Sequence, residues 1–312
     1  MSETQTALVS RAVGGIPVHA DIAPSVVFAV MYALLLPNII NNFFIRKPRA
    51  WNGIQISTVI FAVERIAWCI IRAVQGAHPD KRLSGGLVNY AQLTVGLGFV
   101  GVLGEATKLF RCVMVKTTLP EKGASKDRPR TRQWFRIFCT IFELAFMAST
   151  IPGAIAGARY SDARTNQELA DKNMRLLNLS SSVALGLELA TIVMCLAAAR
   201  WVPEVDRMRC FELAALNLLI LPVPIYRLSV LHIRTANVFD PLSSSARAVF
   251  YIVHLLPEWI CVSVLLGTNV RARFDTGRWG DYEMTDHGRN RRLVREKSEA
   301  EQEQHRVNDQ NV

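Results

Sequence analysis

FYIVHLLPEWICVSVLLGTNVRAR, residues 250–273, is the stretch that decides the fold. Its apolar run is long enough for a helix to cross a hydrocarbon core about 30 Å thick. The run contains His254, Pro257 and Glu258, and an ionisable group at membrane depth costs about 2.5–3.5 kcal/mol on insertion scales. We therefore expect these side chains to face protein, a cavity or a partner, and the rest of the chain to shield them from lipid.

The composition favours one integral membrane domain. Half of the 312 residues are hydrophobic, and the mean hydropathy is +0.19 although the last 40 or so residues are polar. The net charge of +10 does not indicate nucleic-acid binding, because the basic residues lie in short loops and in the tail, where anionic headgroups would meet them. We expect membrane lipids as partners and no nucleic acid. Residues 1–21 lack the apolar centre of a signal peptide, so we expect the first span to target the chain.

Seven apolar segments predict an all-α membrane protein, a bundle of seven transmembrane helices. The predicted helices are Pro24–Phe44, Ile54–Val74, Gly86–Val115, Trp134–Gly157, Leu176–Val202, Cys210–Leu231 and Arg247–Val270. We expect a kink at Pro37 and a bend at Pro222 and Pro224. This gives three regions: a short polar extracellular or lumenal segment (1–22), a transmembrane domain (23–270) and a disordered, charged cytoplasmic tail (271–312).

Basic residues predict the orientation. The first, third and fifth loops with their flanks hold fourteen Lys and Arg, whereas the second, fourth and sixth hold eight, and the tail adds nine to the richer side. Because cytoplasmic loops carry the excess of positive charge, we expect the amino terminus outside and the tail inside. The third loop, Lys116–Gln133, is the most basic. The plasma membrane is the expected location, with an endomembrane as the alternative.

Two small-residue patterns concern packing. Gly98, Gly101 and Gly104 recur every three residues, which predicts a seam where another helix approaches closely. All six cysteines lie within or at the ends of apolar segments, so we expect buried, inert thiols rather than a disulfide framework. Palmitoylation of those on the cytoplasmic side is the alternative.

A set of polar residues falls inside the predicted spans and provides the candidate ligand-binding or polar-core residues. They are Glu64, Arg65, Arg72, Glu143, Glu188, Tyr226, Arg227, His254 and Glu258. One interpretation is a cavity for a ligand or ion that opens outward. The other is internal ion pairs that lock helix packing, or glutamates that are protonated. From their counted depths, we expect Arg227 and Glu258 to approach each other.

The sequence lacks residues that several functional classes of seven-helix protein require. A seven-helix zinc hydrolase needs several inward ligands, but only His254 lies clearly inside a span. A retinal protein needs a lysine on the last helix, and residues 247–270 contain none. The motifs typical of rhodopsin-like receptors are replaced by LFRCV after the third helix and LLPEW in the seventh. We therefore expect no enzyme activity, no metal and no cofactor.

Three motifs resemble the fungal lipid-translocating exporter family, a seven-helix group linked to resistance against aminocholesterol and sphingoid bases. The motifs are Tyr251-Ile252-Val253-His254-Leu255-Leu256-Pro257, Ile225-Tyr226-Arg227, and Val63-Glu64-Arg65 followed by Arg72. The chain departs from the family pattern at His254, where the family has an aspartate, and at Val230, where it has an acid. A related fungal seven-helix, receptor-like family is the other resemblance. The first implies handling of lipids or amphiphiles and stress resistance.

The leading functional interpretation is therefore a non-enzymatic membrane protein that binds or moves an amphiphile or lipid. Arg65, Arg72 and Arg227 would face its headgroup or acid, and Glu64, Glu188 and Glu258 would counter them. The alternative is a receptor-like sensor of the G-protein-coupled type that signals to a cytoplasmic partner through the basic third loop and the tail.

Overall fold

A computed structural model describes residues 7–45, 53–120 and 126–277, and within them seven helices are long and apolar enough to cross a membrane. They are α1 (His19–Ile45), α2 (Gly53–Ala77), α3 (Gly85–Lys116), α4 (Pro129–Ala158), α5 (Gln167–Trp201), α6 (Arg207–Leu231) and α7 (Ser244–Gly267). The predicted all-α, seven-helix architecture is confirmed, and the chain is a multi-pass membrane protein.

The largest difference from the predicted boundaries is at α5. We expected a polar loop over Ser161–Arg175, but α5 begins at Gln167. Asn166 caps the helix, since its side chain accepts a hydrogen bond from the Leu169 amide. The charged residues that suggested a loop instead form the first turns of a helix that is longer than its apolar part.

Three prolines interrupt the helices. Regular α-helix stops at Leu34 and Leu35, just before Pro37, and again at Leu221, just before Pro222, as predicted. In α7 the residues ahead of Pro257 form a π-helix, Phe250–Leu255, which the sequence did not reveal. Proline has no N–H to donate, and its ring collides with the carbonyl four residues earlier, so the preceding turn must change its hydrogen bonding.

The stretch quoted first lies at the centre of the bundle. The most buried span is α7, in which 56% of the residues of its apolar stretch are buried. The least buried is α4, with 22%. Helices α1, α2, α3 and α6 all contact α7. The bundle thus keeps His254 and Glu258 away from the lipid, because both side chains are fully buried.

The glycine seam is narrower than predicted. A Cβ on Gly98 would collide with the Phe61 ring, so α2 approaches α3 closely at this point. At Gly101 the corresponding neighbour is the Ser57 Cβ at 3.8 Å, an ordinary contact, and at Gly104 no described atom lies within 4 Å. The close approach is therefore confined to Gly98.

Parts of the regions 1–22 and 271–312 pack against the bundle where the structure describes them. Residues 7–18, the amino-terminal segment, pack into one end of the bundle with Ala7, Val9, Ala12, Val13 and Ile16 buried. Strand β1 (Val9–Ser10) pairs antiparallel with β2 (Arg234–Thr235). At the other end, a short helix α8 (Val270–Phe274) buries Val270 and Phe274. The rest of the predicted tail, 278–312, and the basic residues Arg46, Lys47, Arg49 and Lys122 lie outside the described residues.

All six cysteines are free and buried. This confirms the interpretation as core thiols and argues against palmitoylation of these side chains, since none is accessible.

Candidate functional site

The candidate site is built around an ion pair between α2 and α7. The Arg65 guanidinium donates from Nε to Glu258 Oε2 at 3.0 Å and from Nη2 to Glu258 Oε1 at 3.2 Å. Neither side chain is exposed. Such a two-point contact between guanidinium and carboxylate is strong and directional, and Glu258 would be an uncompensated buried charge without Arg65.

Glu64 extends this pair toward the surface. Its Oε2 accepts from Arg65 Nη1 at 3.2 Å, and its Oε1 accepts from the Tyr90 hydroxyl, also at 3.2 Å. The Arg65 guanidinium therefore donates hydrogen bonds to two carboxylates, those of Glu64 and Glu258. Unlike Arg65 and Glu258, the Glu64 side chain is 23% exposed.

The exposed edge of Glu64 lines a groove between α2 and α3. This lateral groove has a volume of about 240 Å³, and its lining residues are Ser57, Ile60, Phe61, Glu64, Thr94, Leu97, Gly98 and Gly101. Most of the lining is apolar, with one carboxylate and two hydroxyls. A groove of this composition suits a molecule with a long apolar part and a small polar head.

Arg227 does not pair with Glu258, which corrects our expectation. Its Nη1 donates to the Val95 carbonyl at 2.9 Å and its Nε donates to Ser181 Oγ at 3.3 Å. The reason lies in α3, where Gly96 leaves room for the guanidinium: a Cβ there would be 3.2 Å from Arg227 Nη2. Arg227 thus bridges α6 to α3 and α5, while Arg65 takes Glu258.

His254 lies one helical turn before Glu258, with Nδ1 3.5 Å from Glu258 Oε1. Among the described residues, neither ring nitrogen has a hydrogen-bond partner, nor does the buried Tyr226 hydroxyl. The His254 ring contacts the rings of Tyr226 and Phe250, with centroids 5.8 and 5.4 Å away. These contacts place both predicted residues, His254 and Tyr226, in the cluster.

Three aromatic rings cover the cluster on one side. The rings of Trp68, Tyr226 and Phe250 form this aromatic layer, with Phe250 about equally far from Trp68, at 6.0 Å, and from Tyr226, at 6.1 Å. Trp68 lies between two cations, because the guanidinium carbons of Arg65 and Arg72 are 5.7 and 5.4 Å from its ring centroid. The layer therefore separates Arg65 from Arg72.

Arg72, on the far side of this layer, is occupied by the chain itself. Its guanidinium donates to the Tyr251 hydroxyl at 3.0 Å, to Asp21 Oδ1 at 3.1 Å, and to the carbonyls of Gly15 and Gly14. Sequence reasoning placed Arg72 among the ligand-facing cations but missed Asp21 and Gly14. The sequence spacing could have identified Tyr251 as the partner of Arg72. Arg65 and Arg72 are seven residues apart on α2, and Tyr251 and Glu258 are seven residues apart on α7.

The two remaining predicted residues lie away from the cluster. Glu143 on α4 forms an ion pair with Arg111 on α3 at 2.9 Å. Glu188 on α5 is fully buried, and neither of its carboxylate oxygens has a hydrogen-bond partner among the described residues. Sequence reasoning also missed Glu105, which is buried on α3 and accepts a hydrogen bond from the Thr58 hydroxyl on α2.

Within the described residues, no group of three or more His, Cys, Asp and Glu side chains could hold a metal ion. No family model matches the chain, and no match was found among curated proteins or solved structures. The fold and the site define a class: a seven-helix, multi-pass membrane protein with an ionic cluster inside the bundle.

Proposed function

We propose that this membrane protein binds or moves an amphiphile or lipid, without catalysing a reaction, and that the lateral groove between α2 and α3 receives it. The observation that carries the proposal is the position of Glu64. Its carboxylate is partly exposed in a groove on the outside of the bundle and is joined through Arg65 to the buried Glu258.

The chemistry of the groove supports this proposal. A charged group that faces hydrocarbon is costly, so a bound headgroup with hydrogen-bond donors would stabilise Glu64. Ile60 and Leu97 would contact the apolar chain, and the absence of a side chain at Gly101 gives that chain depth. A headgroup at Glu64 would compete with Arg65 for the Glu64 carboxylate, so its binding can be transmitted through Arg65 to Glu258 on α7.

The resemblance to the lipid-translocating exporters is consistent with the same site. Where that family has an aspartate, this chain has His254, and the acid one turn later, Glu258, bonds Arg65. A role in lipid-stress resistance follows from the resemblance. We also propose that the amino terminus is outside, that the protein lies in the plasma membrane, and that the end of the bundle holding residues 7–18 is the outer end.

The test is photo-crosslinking in cells with lipid analogues that carry a photoactivatable group and an alkyne. We would compare sphingoid-base, phosphatidylcholine and sterol analogues and map the labelled peptides by mass spectrometry. The proposal expects labelling within residues 57–64 and 94–101, with a reduction in Glu64→Gln. Glu143→Gln is the matched control, because Glu143 also contacts an arginine, Arg111, but does not line the groove. Equal labelling of the parent and both variants would contradict it.

A receptor-like sensor is the second candidate, favoured by an ionic network at the other end of the bundle. Glu212 on α6 bonds Arg209 at 2.9 Å and Arg273 of α8 at 2.8 Å, and Lys116 at the end of α3 pairs with Asp275 at 2.8 Å. The pairs of Arg273 and Asp275 join the ends of α6 and α3 to α8 and the residue after it, as a conformational relay would require. A G-protein coupling assay in the same cells would distinguish the candidates, since a lipid-binding or lipid-moving protein alone would give no signal.

A further inference from the structure

The amino-terminal segment is held mainly through its main chain. The Gln167 side chain accepts from the Leu8 amide at 2.7 Å and donates to the Leu8 carbonyl at 3.3 Å. Gln92 does the same to Val13, at 3.0 and 3.2 Å. Each glutamine amide therefore acts as a neighbouring strand would, pairing with both the N–H and the C=O of one residue.

Further contacts continue this pattern. The Tyr160 hydroxyl donates to the Ser10 carbonyl, and the Arg11 amide donates to the Ile233 carbonyl at 2.8 Å. Burial raises the pKa of the Tyr160 hydroxyl above its usual value, so it stays a neutral donor. We call the end of the bundle formed by Gln92, Tyr160, Gln167 and β2 the amino-terminal mouth; the segment lies across it.

The middle of the segment rests on the aromatic layer. Gly14 and Gly15 have φ of +78° and +59°, a conformation that suits glycine, and their carbonyls accept from Arg72. A Cβ on Gly14 would lie 2.7 Å from the Phe250 ring. Phe250 in turn contacts His254, which neighbours Glu258. A short chain of contacts thus leads from the segment to the ionic cluster.

From this arrangement we propose that residues 7–18 are a strap that closes the amino-terminal mouth and controls the access of water and solutes to the Arg65–Glu258–His254 cluster. The strap's hydrogen bonds are made mostly to its main-chain atoms, with one cluster at Arg72, and they act together with the buried side chains of Ala7, Val9, Ala12, Val13 and Ile16. The strap continues directly into α1 at His19. Opening frees the Phe250 ring, which lies at the start of the π-helical turn in α7.

The test measures access to an introduced thiol. Ser181→Cys places a near-isosteric thiol beside Arg227, inside the bundle, and the six native cysteines are buried. The purified full-length protein in phosphatidylcholine nanodiscs is treated with 2-sulfonatoethyl methanethiosulfonate, and labelling of the introduced thiol is followed by mass spectrometry. Hydrogen–deuterium exchange of residues 7–18 is measured on the same samples to report whether the segment has opened.

Two variants open the strap in different ways. Gly14→Ala forces a Cβ against Phe250 at a positive φ, and Gln167→Ala removes both contacts to Leu8 from an exposed position. We expect labelling of the introduced thiol to rise about tenfold in Gly14→Ala and about threefold in Gln167→Ala, because labelling follows the population of the open form. Gly186→Ala is the control, since no described atom beyond its own helical turn lies within 4 Å of its Cβ position, and it should leave the rate unchanged.

A reversible lock completes the experiment. Ser10 and Arg234 are paired across β1 and β2, so Ser10→Cys with Arg234→Cys can form a disulfide. Oxidation of this pair in the Gln167→Ala background should return labelling of the introduced thiol to the parent rate. Faster exchange of residues 7–18 without faster labelling would overturn the proposal. So would unchanged exchange in both opening variants, because the segment would then be a fixed part of the fold. If Gly14→Ala does not fold, Gln167→Ala and the lock decide.

Discussion

Arg65 and Glu258 bond each other at two points across the α2–α7 interface, and Arg72 and Tyr251 bond one another two turns further along the same interface. Because the two helices run in opposite directions, residues seven apart on one meet residues seven apart on the other. Both contacts therefore belong to one continuous polar interface between α2 and α7, and the Arg65–Glu258 contact is part of the ionic cluster.

The first prediction concerns this ion pair. Arg65→Met alone should destabilise the protein by about 3–5 kcal/mol, since it leaves Glu258 as a buried charge without its partner. Glu258→Gln alone should cost less, since Glu64 still pairs with Arg65. The double variant should cost less than the sum, with a coupling of about 2 kcal/mol. Unfolding of the purified protein in detergent measures all three changes. The cycle of Arg227→Met with Glu258→Gln is the control and should be close to additive, because these residues are not bonded.

The second prediction separates two glycines of α3. Gly98→Ala should destabilise the bundle by about 1–3 kcal/mol, because its Cβ would displace the Phe61 ring and press on Arg65 Nη2, 2.9 Å away. Gly101→Ala should change stability by less than about 0.5 kcal/mol. Thermal unfolding in detergent compares them. Equal effects would show that the helices can separate at Gly98 without loss.

Glu188 gives the third prediction. Because neither carboxylate oxygen has a partner among the described residues, its burial opposes folding. Glu188→Met should therefore keep or raise the unfolding temperature, whereas Arg65→Met lowers it. A clear loss of stability in Glu188→Met would show that this carboxyl is bonded in the membrane-embedded protein.

The fourth prediction concerns orientation, which rests on the count of basic residues alone. Protease sites placed in the third loop, at residues 121–125, and in the tail, at residues 300–305, should be protected in sealed cells and cut after permeabilisation. Cleavage of intact cells at either position would reverse the proposed topology. A tag at residue 3 is the control and should be accessible from outside.

The spans were predictable because long apolar runs and prolines determine them locally. Part of the polar core was predictable too, since ionisable residues inside spans must avoid lipid: Arg65, His254 and Glu258 lie together, whereas Glu143 and Glu188 lie elsewhere and Asp21 was missed. The pairing was not, because it depends on which side chain has space. Gly96 gives that space to Arg227, and counted depth takes no account of such a neighbour.

The amino-terminal segment was missed for a different reason. Val9-Ser10-Arg11 is too short to predict a strand, and its contacts are made by its main chain, which carries no side-chain signature. Its partners, Gln92 and Gln167, are far away in sequence. Only the Gly14-Gly15 pair marked a turn, and a turn alone does not reveal what covers it.

The π-helical turn of α7 has a consequence for evolution. Residues 250–255 form a wider turn than a regular α-helix, equivalent to one inserted residue, so the part of α7 before the turn, Ser244–Val249, is rotated relative to the part that carries Glu258. Each residue of a regular helix turns about 100°. A related helix without this extra residue could be aligned with α7 on both sides of the turn only if the alignment had a one-residue gap inside the span. A one-residue insertion can therefore be accommodated inside a span of this fold and not only in its loops.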